Sequence, residues 1–211
     1  MFKSISYNML LQISFRVFSF VINAILFHRV NIELIGACNI RLALLYTTIM
    51  FLSREPFRRA LPTLKEILDQ KRFNKFYSTL WLVILNGYFI SLLMGAVWSN
   101  LLEKPNEKSV PYYDLSVYLC CLACMIELCG EPSNSLLQMM YKARLKVIIE
   151  ASSLLIFNFA FALLAIFLPQ LGALAYSIAR LLYAIIFVVT NVYFLKKNSD
   201  DLNQKEIKHI I

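Results

Sequence analysis

The sequence predicts an all-α, polytopic membrane protein with about six transmembrane helices. Its 211 residues are 59 % hydrophobic and have a mean hydropathy of +0.63, whereas soluble domains contain about 45 to 50 % apolar residues. Several apolar runs reach the roughly 20 residues that an α-helix needs to cross a bilayer. The alternation of apolar and polar residues that is typical of membrane β-strands is absent. The expected solvent is therefore lipid.

The first span is expected to be retained, because it is too long and too polar for the short apolar core of a signal peptide. In the third span, Trp81 and Trp98 are separated by about 26 Å of helix, which places one at each membrane interface. A transmembrane domain, residues 1–195, is followed by a polar tail, residues 196–211. The six predicted spans cover residues 7–28, 34–53, 77–100, 113–138, 147–168 and 172–195.

The formal net charge of +8 is distributed unevenly between the two sides of the predicted membrane. Of the 21 lysines and arginines, 15 lie on the side of the termini and of residues 54–76, and three lie on the opposite side. Short loops that are rich in lysine and arginine stay cytosolic, so both termini are expected in the cytosol. This distribution makes a nucleic-acid partner unnecessary and indicates contact with membrane lipid.

The longest polar segment, residues 54–76, is predicted to be a basic, helical cytosolic loop. Ser53 is expected to cap a short helix with Pro56 in its first turn, and Pro62 is expected to end that helix. Thr63 and Glu66 have the spacing of a capping box, so a second, amphipathic helix is expected to begin there.

Polar residues line one face of two predicted spans, with spacings of three and four residues that put each set on one side of a helix. Such faces do not point at lipid. The second span adds Arg41 with Thr48, and the sixth adds Arg180 between Tyr176 and Tyr183. The two faces consist of Asn8, Gln12, Arg16, Ser19 and Asn23, and of Ser116, Cys120, Cys124, Glu127, Glu131, Asn134 and Gln138.

The simplest assembly turns these faces inward around a polar, hydrated cavity that contains Arg16, Arg41, Arg180, Glu127 and Glu131. Guanidinium groups are planar and stay charged, so the arginines are suited to bidentate binding of phosphate oxygens. The glutamates would hold the arginines apart in an empty site, or bind a proton or a cation. The alternative is that these charges pair with one another to fix helix packing and contact no ligand.

Glu131 precedes Pro132, and the residue before a proline avoids the α region, so a break in the fourth span is predicted there. Broken helices are common at transporter binding sites, but a simple kink gives the same signal.

The sequence indicates neither an enzyme nor a cofactor. It lacks a nucleophile with an adjacent base, a Gly-rich phosphate loop and an HExxH motif. Cys121 and Cys124 have CxxC spacing, but a metal held there would lie in hydrocarbon, so all five cysteines are expected to be packing residues.

Several segments resemble the Rft family. The most specific is FLSREPFRRA at residues 51–60, preceded by NIRLALLYTTIM and followed later by IELCGEPSN at residues 126–134. The run YNMLLQISFRVFSFVINAILF and residues 145–150 are also similar, so the resemblance covers roughly residues 5–195. The family belongs to the MOP flippase superfamily, and its members are endoplasmic-reticulum membrane proteins linked to translocation of a dolichol-diphosphate heptasaccharide in N-glycosylation.

The resemblance implies a transporter with two six-helix lobes around a central cavity, of which this chain holds one lobe. The chain is then a fragment, a short splice form or an incorrect gene model, and its expected partners are the dolichol-diphosphate oligosaccharide, membrane lipid and a second lobe or a second copy. Arginines 54, 58 and 59 would contact headgroup phosphate at the cytosolic mouth or act as a positive-inside anchor. The candidate substrate-binding residues are Arg16, Arg41, Arg54, Glu55, Arg58, Arg59, Glu127, Glu131 and Arg180.

Two other functions fit the same residues. The chain is alternatively a membrane scaffold that supports N-glycosylation without transporting, or a small-anion transporter.

Overall fold

The computed structural model describes residues 2–65, 70–107, 109–139 and 143–205, and these ranges contain helices and no strand. A π-helical segment, Ala37–Leu42, joins the second helix to the third, and a 3-10 turn, Pro169–Leu171, precedes the last. The predicted all-α class is confirmed. The helices are α1 (Phe2–Arg29), α2 (Ile32–Gly36), α3 (Ala43–Lys65), α4 (Gln70–Asn100), α5 (Tyr113–Cys129), α6 (Glu131–Met139), α7 (Ala143–Phe167) and α8 (Leu174–Lys205).

Within the residues that the structure describes, four helical stretches are long and apolar enough to cross a membrane: Ile32–Arg59, Trp81–Asn100, Val147–Phe167 and Leu174–Lys197. Their outer faces carry large exposed apolar side chains such as Phe89. Contiguous apolar surface of this kind is unfavourable in water and favourable in lipid, so the membrane-protein class is confirmed as well. Predicted spans 7–28 and 113–138 fall on α1 and on α5 with α6. The count of six spans remains a prediction.

The bundle is built around α5, which packs against α4 and α8. Helix α3 packs against α4, and α7 packs against α1 and α8. The apolar core lies between α3, α5 and α8, and four of the cysteines, Cys38, Cys120, Cys121 and Cys124, belong to it. Side chains with no exposed surface there include Leu42, Leu45, Ile49, Val117, Cys120, Cys124, Leu128 and Phe187, and Cys38 is equally buried.

The predicted break in the fourth span is confirmed. Helix α5 ends at Cys129, Gly130 follows, and α6 begins at Glu131 with Pro132 in its first turn. The Gly130 N–H donates to the Glu127 carbonyl at 2.9 Å, an i to i−3 bond that tightens the end of α5. Proline has no N–H to continue the α-helical ladder, which explains why the break occurs at this position.

The expected helix start at Ser53 is wrong. Helix α3 runs without interruption from Ala43 to Lys65, through Ser53, Pro56 and Pro62. The buried Ser53 hydroxyl donates to the Ile49 carbonyl at 2.7 Å, the back-bonding geometry of a serine inside a helix rather than at its cap. Of the expected capping box, Thr63 lies inside α3 and Glu66 lies outside the described residues.

At the first end of α5, two connecting segments pack against each other. Gly172 has a φ of 53°, a conformation that favours glycine, and its Cα lies against Pro111, so that a Cβ would overlap the proline ring. The Ala173 N–H donates to the Pro111 carbonyl at 3.4 Å. These contacts fix the end of α5 that is remote from Gly130.

Candidate functional site

Helix α3 crosses the junction of α5 and α6 through an arginine–glutamate cluster, which we define as Arg54, Arg58, Glu127 and Glu131. Arg54 and Arg58 lie one turn apart on α3, and the glutamates lie one turn apart on either side of Gly130. A single Arg54 nitrogen lies 3.0 Å from Glu127 Oε1 and 3.1 Å from Glu131 Oε1. The cluster therefore fastens α3 to both halves of the broken helix.

Arg58 binds Glu131 through two parallel hydrogen bonds. Its Nε donates to Oε2 at 3.1 Å and its NH2 donates to Oε1 at 2.7 Å. The same NH2 group lies 3.6 Å from Glu150 on α7. This two-pronged geometry is the one in which guanidinium groups bind carboxylates and phosphates most strongly.

The second oxygen of Glu127 is bound by Tyr46, whose hydroxyl donates to Oε2 at 2.7 Å. Tyr46 lies on α3 two turns before Arg54, so both partners of Glu127 come from one helix. Tyr46 is not among the site residues predicted from the sequence. A tyrosine that lies eight residues before an arginine is on nearly the same face of the helix. This spacing is the sequence feature that could have predicted that Tyr46 lies beside Arg54.

The two halves of the cluster differ in exposure. The side chains of Glu127 and Glu131 are 1 % and 3 % exposed, whereas those of Arg54 and Arg58 are 22 % and 20 % exposed. The carboxylates are thus enclosed, whereas part of each arginine side chain reaches the surface. The neighbouring Glu150 side chain is 38 % exposed, so an approaching anion would meet this carboxylate as well as the arginines.

Arg180 is buried among aromatic rings rather than carboxylates. Its guanidinium carbon lies 3.9 Å from the ring centroid of Tyr46 and 4.0 Å from that of Phe157. It also donates to the Tyr176 hydroxyl at 3.4 Å, and its Nε has no hydrogen-bond partner among the described residues. Cation–π contacts of this kind compensate in part for the lost hydration of the charge. Tyr46 touches both Arg180 and Glu127 and so links the two groups.

The predicted grouping of Arg41 with Glu127 and Glu131 is wrong. Arg41 lies in the π-helical segment, and its NH1 donates to the Glu103 carbonyl at the other end of α5. The helical period gives the face on which a residue lies but not its depth, and 13 residues of helix separate Arg41 from Arg54, or about 20 Å. Its surroundings are exposed and include an ion pair between Lys104 and Asp114.

The remaining candidates lie apart from the cluster. Glu55 and Arg59 form an exposed i, i+4 pair at 3.4 Å on α3. Arg16 lies on α1, but its side chain is outside the described set. Of the nine predicted site residues, the structure brings together Arg54, Arg58, Glu127 and Glu131, with Arg180 connected to them through Tyr46.

The chain is similar to known membrane proteins over most of its length. The family model for the Rft protein matches residues 1–210. The chain is 38 % identical over 190 residues to the Man(5)GlcNAc(2)-PP-dolichol translocation protein RFT1 of Mus musculus, covering 90 % of this chain and 35 % of that protein. The protein with the same name from Xenopus tropicalis is 37 % identical over 181 residues, covering 86 % and 33 %. That from Drosophila melanogaster is 25 % identical over 206 residues, covering 96 % and 37 %.

The chain therefore spans about a third of the length of the curated relatives that it matches. No solved structure matches it significantly.

Proposed function

Because the chain belongs to the Rft family, we propose that it takes part in translocating a dolichol-diphosphate-linked oligosaccharide across the endoplasmic-reticulum membrane for protein N-glycosylation. The relatives' names specify a Man(5)GlcNAc(2) glycan on this lipid. Since the chain spans about a third of those relatives, it supplies one side of the translocation path. A second lobe or a second copy of the chain supplies the other side.

The observation that carries this proposal is the partly exposed pair Arg54 and Arg58. The two guanidinium groups converge on one oxygen, Glu131 Oε1, at 3.1 and 2.7 Å, and both arginine side chains are partly exposed, so together they suit the binding of phosphate oxygens. In this proposal the pair binds the diphosphate. The excess of basic residues on their side of the membrane supports a cytosolic position for this site and for both termini.

A polar path lowers the barrier that the glycan would otherwise meet. In hydrocarbon, each unpartnered hydroxyl of the sugar costs on the order of several kcal/mol. The lipid tail stays in the bilayer while the sugar passes along polar side chains. The membrane lipids around the bundle are therefore partners of the chain as well as its solvent.

One observation favours a second candidate, a scaffold that supports N-glycosylation without transporting. Arg54 and Arg58 are already paired with Glu127 and Glu131, as residues that only fix helix packing would be. A scaffold needs the pairs to stay closed, whereas a translocation site needs the arginines to bind phosphate.

Rescue of N-glycosylation separates these functions. We would express the chain in cells depleted of the full-length relative, alone and together with the part of the mouse relative that it does not cover. The key variant is Arg58→Lys, which keeps the charge but loses the two-pronged geometry. Arg59→Lys is the matched control, because Arg59 is the adjacent residue but is exposed and paired with Glu55.

Translocation predicts that the wild-type chain and Arg59→Lys restore glycosylation of a reporter protein, while Arg58→Lys at equal abundance does not. Equal rescue by both variants would favour the scaffold. Absence of rescue by the wild-type chain in either format, alongside rescue by the full-length relative, would overturn the proposed function.

A further inference from the structure

We infer that Glu131 is an exchangeable internal anion: a phosphate group replaces it as the partner of Arg54 and Arg58, and the released glutamate moves with α6 about Gly130. This inference rests on the proposed function, because it specifies how the proposed site is regulated. The ligand chemistry is a phosphate or diphosphate group, supplied by a lipid headgroup or by a soluble anion.

The geometry of Arg58 and Glu131 supports such an exchange. The two parallel hydrogen bonds from Arg58 to the carboxylate, at 3.1 and 2.7 Å, are those that a phosphate oxygen pair would accept. Glu131 therefore occupies the position at which a phosphate would bind. A phosphate can approach from the surface, because the arginine side chain is 20 % exposed.

The charge of the cluster requires exchange rather than addition. Two arginines and two glutamates sum to zero, so a diphosphate added to the closed cluster would leave excess negative charge in a poorly hydrated place. Glu150, 3.6 Å from Arg58, adds further negative charge on the approach side. Departure of a carboxylate relieves this repulsion.

Glu131 is better placed to leave than Glu127. Glu127 lies within α5 and keeps its bond from the Tyr46 hydroxyl when the arginines are withdrawn. The partners of Glu131 among the described side chains are Arg54 and Arg58. These are the two groups that the phosphate would bind. Left behind, Glu131 would be a buried and unpaired charge, which is strongly unfavourable.

The break between α5 and α6 allows Glu131 to move away from the arginines. It is the first residue of α6, and the preceding Gly130 separates this short helix from α5. Helix α6 also packs against α3, α4, α7 and α8, so its displacement loosens one end of the bundle. Because phosphate binds the arginines more favourably when α6 is displaced, a change that favours the displaced state should also favour phosphate binding.

The test measures binding and movement in the purified chain in nanodiscs. Inorganic pyrophosphate is the soluble probe, and a polyprenyl diphosphate in the nanodisc is the lipid probe. Spin labels on Leu52→Cys and Ser133→Cys report the distance between α3 and α6, in a background in which the exposed Cys129 is replaced by Ser. Glu131→Gln removes the competing charge while keeping the shape, and Glu127→Gln is its matched control.

Exchange predicts that Glu131→Gln binds pyrophosphate more tightly by about 5- to 150-fold, the usual range for linked equilibria, whereas Glu127→Gln gains less. It also predicts that either probe lengthens the label distance in the wild-type chain, and that Arg58→Lys abolishes the lengthening. A response to the lipid probe alone identifies the headgroup as the source, and a response to both identifies the diphosphate group itself.

Unchanged or weaker binding by folded Glu131→Gln would show that Glu131 only positions the arginines and would overturn the inference. If that variant does not fold, the wild-type distances decide, because no lengthening with either probe contradicts the exchange. Exchange in nanodiscs without rescue in cells would reject the proposed function alone. Rescue of N-glycosylation in cells without a longer label distance in nanodiscs would reject the exchange alone.

Discussion

An ion pair lies at each end of α5, and the pair is exposed at the first end and buried at the last. At the first end, Lys104 Nζ lies 2.6 Å from Asp114 Oδ2, and both side chains are about half exposed. At the last end, Arg54 lies 3.0 Å from Glu127, whose side chain is 1 % exposed. The shorter pair is the weaker one, because water and ions screen exposed charges and compete for them. Burial, rather than distance, decides what an ion pair contributes.

This difference has a functional consequence. The hydrogen bond that Lys104 donates to Asp114 raises the pKa of the lysine, which only keeps an already charged group charged. The buried cluster holds its charges where solvation cannot replace a lost partner, so its members respond to one another. We therefore expect substitutions at the cluster to change stability and ligand response together, and substitutions at the exposed pair to change neither.

The largest effect is expected from Arg54→Ala. It leaves Glu127 without its ionic partner in an enclosed site, so the free energy of unfolding should fall by about 3 to 5 kcal/mol. Reversible unfolding in mixed micelles measures this change. The control is Arg54→Met combined with Glu127→Gln, which removes both charges and should cost much less. If Arg54→Ala lowers the free energy of unfolding no more than Lys104→Ala does, the buried ion pair does not contribute more than the exposed one, and the expectation is contradicted.

A smaller effect is expected from Tyr46→Phe, which keeps the ring against Arg180 but removes the hydroxyl bound to Glu127. A hydrogen bond to a charged group contributes about 1.5 to 3 kcal/mol, and the same unfolding assay should detect its loss. Tyr176→Phe is the matched control, because among the described residues its hydroxyl accepts a single long bond, from Arg180 at 3.4 Å. Equal losses from both variants would mean that the ring contacts, and not the Glu127 bond, provide the stability.

The sequence predicted one side of the cluster better than the other. The three- and four-residue spacing on the fourth span correctly placed Glu127 and Glu131 on a buried face, and Pro132 correctly marked the break. Arg54 and Arg58 were assigned to a cytosolic loop, because a run of charges after an apolar span looks solvated. Their partners lie 73 to 77 residues away in the sequence, and no local pattern encodes such a pairing.

The misplacement of Arg41 has a different cause. A helical period fixes the direction of a side chain around the helix axis but not its depth in the bundle. The π-helical segment that carries Arg41 also changes the local helical period, and no feature of its sequence predicts this change. The helix face on which a residue lies, its depth in the bundle and its ion-pair partner are separate properties. The sequence mainly predicts the helix face.

The smallest effect is expected from Lys104→Ala, which tests the other half of the comparison. Its 2.6 Å contact with Asp114 is the shortest ion pair described in the chain, so an argument from distance predicts a large loss. An argument from exposure predicts no measurable change in unfolding and no change in pyrophosphate response, because the same end of α5 is held by the backbone contacts of Pro111 with Gly172 and Ala173. Repeating the unfolding assay at low and high salt separates the arguments. A loss that appears at low salt and disappears at high salt would assign the pair a screened, superficial role, whereas a salt-independent loss would show that exposure underestimates it.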